Sequence, residues 1–296
     1  MASTARIAGN VLILELDGQA AGSLRSLQPP SYRLDRVNRL QPGGTVMRAG
    51  SVVTLGEMAA DFSPDQPSLL RDWVQRFANG DLAPQSGAAQ VLDFNNALRR
   101  SLAFDAGEIT QLRLPRLSAV DGRSPVLLGL SWRMQALRDS AGDSRRITPG
   151  KVRAKAMMAS NFRVTGLPFD ASGITQVDLP LLRRTDAASD PRRAPLRAGQ
   201  LDLGELALTL GGRSRVKALA WVQQVLADGR LDEAERIDIG VELLDASMKT
   251  VLATVQLRAC SLLACDERLI EPAVDSIPGL VLRLAVDRLA LDFAKG

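Results

Sequence analysis

Cys260 and Cys265 are the residues to test first for chemistry, because two thiols so close together could ligate zinc or form a disulfide. A structural zinc site needs further Cys or His ligands, and this chain has no histidine and no second cysteine pair. A disulfide framework needs more cysteines spread along the sequence. Both are therefore expected to be reduced, structural thiols, with no metal. The missing histidine also removes Ser-His-Asp and Cys-His nucleophile systems and imidazole acid–base work. The phosphate-cradling loops G-x-G-x-x-G and G-x-x-x-x-G-K-[ST] do not occur, so no cofactor is expected either.

What remains is carboxylates, arginines and tryptophans. Glu57 and Glu205 stand in like settings, Leu55-Gly56-Glu57-Met58 and Leu203-Gly204-Glu205-Leu206. As an acid–base pair they would make the protein a β-rich two-domain enzyme, although Gly-Glu in a strand more simply marks a bulge or a partner contact. Arg183, Arg184, Arg192, Arg193 and Arg197 cluster in one stretch, with Arg39 and Arg48 in the matching earlier one. Guanidinium groups suit acidic partner surfaces, so these are candidate contacts to other subunits or particle components. Trp73 and Trp221 could stack on a ligand, but each lies on the apolar side of a helical pattern and is expected to be structural core.

These residues come in pairs because the chain repeats itself. The differences 203 − 55 and 221 − 73 both give 148, so the Leu-Gly-Glu strand and the tryptophan helix have moved as one block. Arg48-Ala49-Gly50 is echoed by Arg197-Ala198-Gly199, and Asn79-Gly80 by Asp228-Gly229, a turn signal at each helix end. A period this long means a duplicated domain rather than a solenoid. The boundaries read as 1–138, a linker over 139–160, and 161–296.

Within each half the pattern is of many strands around one helix. Val11 to Leu16 and Ala21 to Ser26 flank Asp17-Gly18, a tight-hairpin dipeptide. Tyr32 to Val37 alternates as a strand, Asn38 to Gly50 reads as a polar loop, and Ser51 to Phe62 as a strand echoed by Gln200 to Leu210. Leu69, Leu70, Trp73, Val74 and Phe77 share one helix face, with Ser63 or Asp65 as cap and Pro67 in the first turn. In the second helix Ser214 is the cap candidate, and Leu219, Trp221, Val222 and Val225 form the apolar side. Further extended runs are Val91 to Phe94, Leu102 to Leu114, Val126 to Leu137, Ile237 to Leu244, Thr250 to Cys260 and Leu280 to Phe293. The second long loop, Arg183 to Gly199, is the arginine-rich one; loops of this length are commonly functional.

Composition sets outer limits. With 46% hydrophobic residues the chain can build two cores. A net charge of +4 and 4% aromatic residues argue against sequence-specific nucleic-acid reading. Glu15 and Asp17 interrupt the apolar run after Arg6, against a secretory signal, and no apolar stretch is long enough to span a membrane. Synthesis in the cytoplasm is expected.

The order of an opening hairpin, a long loop, a central strand, one Trp helix and the hairpin Ile237 to Asp245 with Val251 to Leu257 resembles the tail-tube protein family of contractile phage tails and related injection systems. Leu14-Glu15-Leu16-Asp17-Gly18 with Gly22 adds to that likeness, which covers Val11 to Leu137 and Asn161 to Phe293. The resemblance implies a mainly β fold: two tail-tube-like β-sandwich or barrel domains, each with a flanking helix. It also implies a structural, non-enzymatic role as a ring-forming subunit of the inner tube, or of a tube-end hub or adaptor. Six such domains close a ring in that family, so a tandem chain would need three copies, a homotrimer with pseudo-sixfold symmetry. Its partners would be itself and other tube, sheath or hub proteins of a virion or tail-like particle. A two-domain adaptor that never polymerises is the further alternative.

Overall fold

The computed structural model describes residues 11–41, 44–65, 68–147, 157–185, 200–228, 236–267 and 279–294. The strands are β1 (Val11–Leu16), β2 (Gln19–Leu24), β3 (Ser26–Gln28), β4 (Tyr32–Gln41), β5 (Gly44–Leu55) and β6 (Met58–Phe62) before the helix α1 (Leu69–Ala78). After it come β7 (Gln85–Leu92), β8 (Leu98–Arg113), β9 (Arg116–Ser118), β10 (Leu128–Arg133) and β11 (Ala136–Ala141). The second series is β12 (Phe162–Thr165), β13 (Ile174–Asp178), β14 (Leu181–Arg184), β15 (Leu201–Leu203), β16 (Leu206–Leu210), helix α2 (Gly212–Asp228), β17 (Ile237–Leu244), β18 (Val251–Glu267), β19 (Leu280–Ala285) and β20 (Arg288–Phe293). The fold is mainly β, as the alternation implied.

The chain divides into two compact units. Unit 1 comprises Met1–Asp61, Ala83–Thr110 and Leu130–Pro149; unit 2 comprises Phe62–Leu82, Gln111–Gly129 and Gly150–Gly296. In unit 1 the sheet runs β2-β1-β7-β8-β10-β6-β3, with β11 also on β8, while among the described residues β4 and β5 pair only with each other. In unit 2 the order is β12-β17-β18-β19-β16-β13-β9, with β20 also on β18. From β1 to β3 in the first sheet and from β12 to β13 in the second, the two orders correspond strand for strand.

The correspondence reaches single residues. Asp17 and Gly18 both have positive φ, the tight hairpin turn that joins β1 to β2. Ala106 (φ 48) and Ala259 (φ 53) each sit in a bulge where β8 or β18 gains a residue over its partner. Both bulges are held by a side chain from the facing strand: Ala106 N–H donates to Ser86 Oγ (3.1 Å), and Ala259 N–H to Asp238 Oδ1 (2.9 Å). The bulge shifts the alternation by one, so Leu102 and Phe104 are buried before Ala106, and Gly107 and Ile109 after it. The following hairpin turns match as well. Asp93 Oδ1 accepts from Asn95 and Ala97, and Asp245 Oδ1 from Ser247, Lys249 and Thr250. These bonds hold both carboxyls below the usual carboxylate range.

Each unit has its own core. Leu14, Leu92, Leu102, Phe104 and Trp132 are buried in unit 1, with the Phe104 and Trp132 rings 5.7 Å apart. In unit 2 Leu206, Leu208, Leu280, Leu282 and Leu284 are buried, as are Val241, Ala253 and Val255.

Four local expectations need correction, the first being the single strand expected over Ser51 to Phe62, which is divided between β5, ending at Leu55, and β6, beginning at Met58. The stretch Asn38 to Gly50 is not a loop: β4 runs to Gln41 and β5 begins at Gly44, so it forms one long hairpin. The N-cap of α1 is Ser68, whose Oγ accepts from Arg71 N–H (3.2 Å), rather than Ser63 or Asp65; Asp65 accepts from Met157 N–H instead. Ser214 lies inside α2, buried, and its Oγ accepts from Gly173 N–H (2.9 Å).

Candidate assembly interface

Unit 2 shows how an element from the first half of the sequence is received by elements from the second. Helix α1 ends in Asn79 and Gly80. Gly80 N–H bonds Phe77 O and Asp81 N–H bonds Arg76 O, with Gly80 at φ 91, which is the Schellman stop. That stop aims the Asn79 side chain at β20. Its amide donates to Leu291 O (3.2 Å) and accepts from Leu291 N–H (2.9 Å), pairing with one strand residue as a neighbouring strand would. On the same helix face, Gln75 donates to Asp292 (3.2 Å) and the Arg71 guanidinium lies 5.0 Å over the Phe293 ring. Burial there lowers the Arg71 pKa, with Asp72 opposing.

Strand addition does the same work beside it. β14 pairs antiparallel with the end of β8, Leu181 opposite Arg113, Leu182 opposite Leu112 and Arg183 opposite Gln111. β9 pairs with β13 through Leu117 and Val177. Leu112, Leu117, Val177 and Leu182 are all fully buried.

The counterparts of these elements in unit 1 and at the end of β18 are open. β4, the counterpart of β14, meets only β5 among the described residues. Its hairpin exposes Tyr32, Leu34, Val37, Met47, Val52 and Val53. β11, the counterpart of β20, is exposed along most of its length. Asp139 takes the position of Leu291 there and pairs with Arg100 (2.6 Å).

The candidate contacts fall on this geography unevenly. Arg183 and Arg184 belong to β14, Arg183 exposed and Arg184 partly buried. Arg39 and Arg48 belong to β4 and β5, but their side chains lie outside the described residues. Arg192, Arg193 and Arg197 lie wholly outside them. Trp73 is buried at 2% exposure, whereas Trp221 is only partly buried, with Phe169 5.9 Å away. Glu57 is exposed; Glu205 is exposed and ion-paired with Arg283 (3.5 Å). Cys260 is fully buried and its thiol is pushed up to about 12 by desolvation, aided by Asp238 and Asp287. Cys265 is partly buried and raised too, by burial and then by Glu267 and Asp266. Trp132 was not singled out from sequence; its alternation with Leu128 and Leu130 along β10 is the signal for it.

Neither a protein family nor a curated protein sequence matches the chain. In structure it is similar to a chain of the anti-feeding prophage baseplate, at TM-score 0.40 and 12% identity over 48% of this chain and 98% of the other. It is also similar to the cap that terminates the tube of that prophage, at TM-score 0.33 and 16% identity over 51% and 98%. A third similarity is to a sheath–tube complex of an extracellular contractile injection system in the extended state, at TM-score 0.31 and 17% identity over 45% and 88%.

Proposed function

We propose that this chain is a structural, self-assembling subunit made of two tandem tube-type β domains. Copies join head to tail into a closed ring of the inner tube, or of its end, in a contractile tail or injection particle. The observation that carries this reading is the pairing of matched elements with opposite fates. α1 and β14 are received inside unit 2, while β4 and β11 present the corresponding surfaces uncovered. A surface that is filled at one copy of a duplicated site and empty at the other is heterologous, and heterologous contacts generate rings when the rotation closes. A ring of six such domains, the number the family resemblance implies, would take three copies of this chain. Sheath, hub or other tube proteins are the further partners of such a ring.

The role is mechanical and the reading assigns the chain no reaction. Glu57 and Glu205 act as surface carboxylates in it, and the tryptophans as packing residues. Native mass spectrometry with negative-stain microscopy tests the proposal. Rings of three chains support it, and a monomer at every concentration and salt overturns it in favour of an adaptor.

A further inference from the structure

We propose that β4 of one copy adds to the free edge at the end of β18 in a second copy, antiparallel, with Tyr32 opposite Cys265. The inference rests on the ring reading above and deepens it, and its template is the pairing of β14 with β8.

The register follows from residue equivalences on both sides of the junction. Gly56 N–H donates to Ser31 O (2.7 Å), and Gly204 N–H donates to Leu181 O (2.9 Å). Tyr32 lies opposite Leu55 as Leu182 lies opposite Leu203, so Tyr32 holds the place of Leu182. On the receiving strand, Phe104 faces Gly87 and Leu257 faces Ile239, each two residues before a left-handed alanine, Ala106 or Ala259. Counting on from those alanines by the same six residues reaches Leu112 in β8 and Cys265 in β18. Since Leu182 sits opposite Leu112, Tyr32 belongs opposite Cys265, Ser31 opposite Asp266 and Arg33 opposite Ala264.

Both edges are available. β17 leaves β18 at Cys260, and from Ser261 to Glu267 the strand pairs with β19 alone among the described residues. On β4, Ser31 O is turned towards β5, so by alternation the N–H and C=O of Tyr32 point away from the hairpin. The burial contrast identifies the occupant. Leu182 is 0% exposed with β8 beside it, whereas Tyr32 at the equivalent position is 62% exposed. An apolar edge strand of this length is a liability unless another strand covers it, and the strand of matching register is carried by every other copy.

Cysteine trapping tests the register. Directly opposed residues in an antiparallel pair have Cα atoms about 4.5–5.5 Å apart, within the range a disulfide spans. In Tyr32→Cys, diamide oxidation removes two electrons and two protons from the new thiol and the native Cys265 and is itself reduced to the hydrazine. Covalent multimers closing at the ring's chain number are expected, with loss of at least nine-tenths of them in Tyr32→Cys/Cys265→Ser and in Leu34→Cys, which is displaced along the strand. Tyr32→Pro removes the outward donor without touching the bonds to β5, and should abolish rings while leaving the circular dichroism of the fold unchanged. Rings seen by microscopy without the Tyr32→Cys crosslink, or rings that survive Tyr32→Pro, overturn this register and leave the ring reading standing. A protein that stays monomeric in every condition overturns both.

Discussion

Asn79→Ala is the sharpest single test of how α1 is anchored. The side chain makes both of its hydrogen bonds to one residue of β20, Leu291, which lies 212 positions further along the chain. A net hydrogen bond contributes about 0.5–1.5 kcal/mol. The pair therefore contributes about 1–3 kcal/mol, with the lower half of that range expected because Asn79 is at the surface. The cap itself survives the change, since the Schellman bonds run through the backbone of Gly80 and Asp81. Destabilisation should thus appear at β20 and not as general fraying of the helix. Hydrogen exchange read residue by residue is the assay, because the Leu291 amide loses its acceptor in the variant. About 1.4 kcal/mol corresponds to a tenfold change in an equilibrium constant, so protection at Leu291 should fall roughly tenfold. Asn79→Asp keeps an acceptor for Leu291 N–H and should retain most of that protection while losing the bond to Leu291 O. Unchanged exchange at Leu291 in Asn79→Ala would refute the anchoring.

Trp73→Ala should destabilise unit 2 by about 3–5 kcal/mol, as large-to-small changes in a core do; Trp221→Ala should cost markedly less, because that ring is only partly buried, and equal shifts in denaturant midpoint would contradict this. Gly80→Ala, at φ 91, should cost about 1 kcal/mol in urea unfolding, since the αL stop favours glycine. By the same physics Ala106→Gly and Ala259→Gly should each stabilise by about 0.5–1 kcal/mol, and a loss of stability would show that the bulge depends on the methyl. Asp245 has its pKa lowered in the fold by the Ser247 and turn hydrogen bonds, so its contribution is fully present above the ordinary carboxylate pKa and is lost as pH falls through its lowered native value. Asp245→Asn should therefore flatten the acid limb of the stability–pH curve, and an unchanged limb would contradict the assignment.

Much of the fold was legible because the repeated sequence pattern, with its shared offset of 148, held several signals in one frame. The tight turn at Asp17-Gly18, the strand Met58–Phe62 with its counterpart Leu206–Leu210, and both tryptophan helices lie where residue pattern put them. The hairpin over Asn38 to Gly50 escaped because its Pro42, Gly43 and Gly44 read as loop residues, whereas the strands continue on either side up to Gln41 and from Gly44. The single run expected over Ser51 to Phe62 breaks at Gly56, where an added Cβ would meet Ser31 Oγ at 2.7 Å. The cap of α1 was misplaced for a related reason: several side chains before Leu69 can cap, and only backbone geometry selects Ser68.

The receiving surfaces were not legible, and the reason is physical rather than a shortage of pattern. Alternation tells which face of a strand is dry, but strand edges bond through backbone groups that every residue carries. Nothing in Tyr32-Arg33 differs in kind from Leu182-Arg183, since each puts an apolar residue before an arginine. Their burial differs because one edge has β8 beside it and the other has no such strand among the described residues. Because the two strand orders correspond, that difference acts as an internal control: strand type and register are nearly matched, and the variable left is the neighbour. The same comparison applies to β20 and β11. Leu291 is buried beneath the end of α1, while Asp139 in its place is half exposed and paired with Arg100, so among the described residues β11 lacks the cover that β20 has. Val216 and Leu226 of α2 are likewise exposed, whereas the corresponding helix α1 lays its side chains on β20.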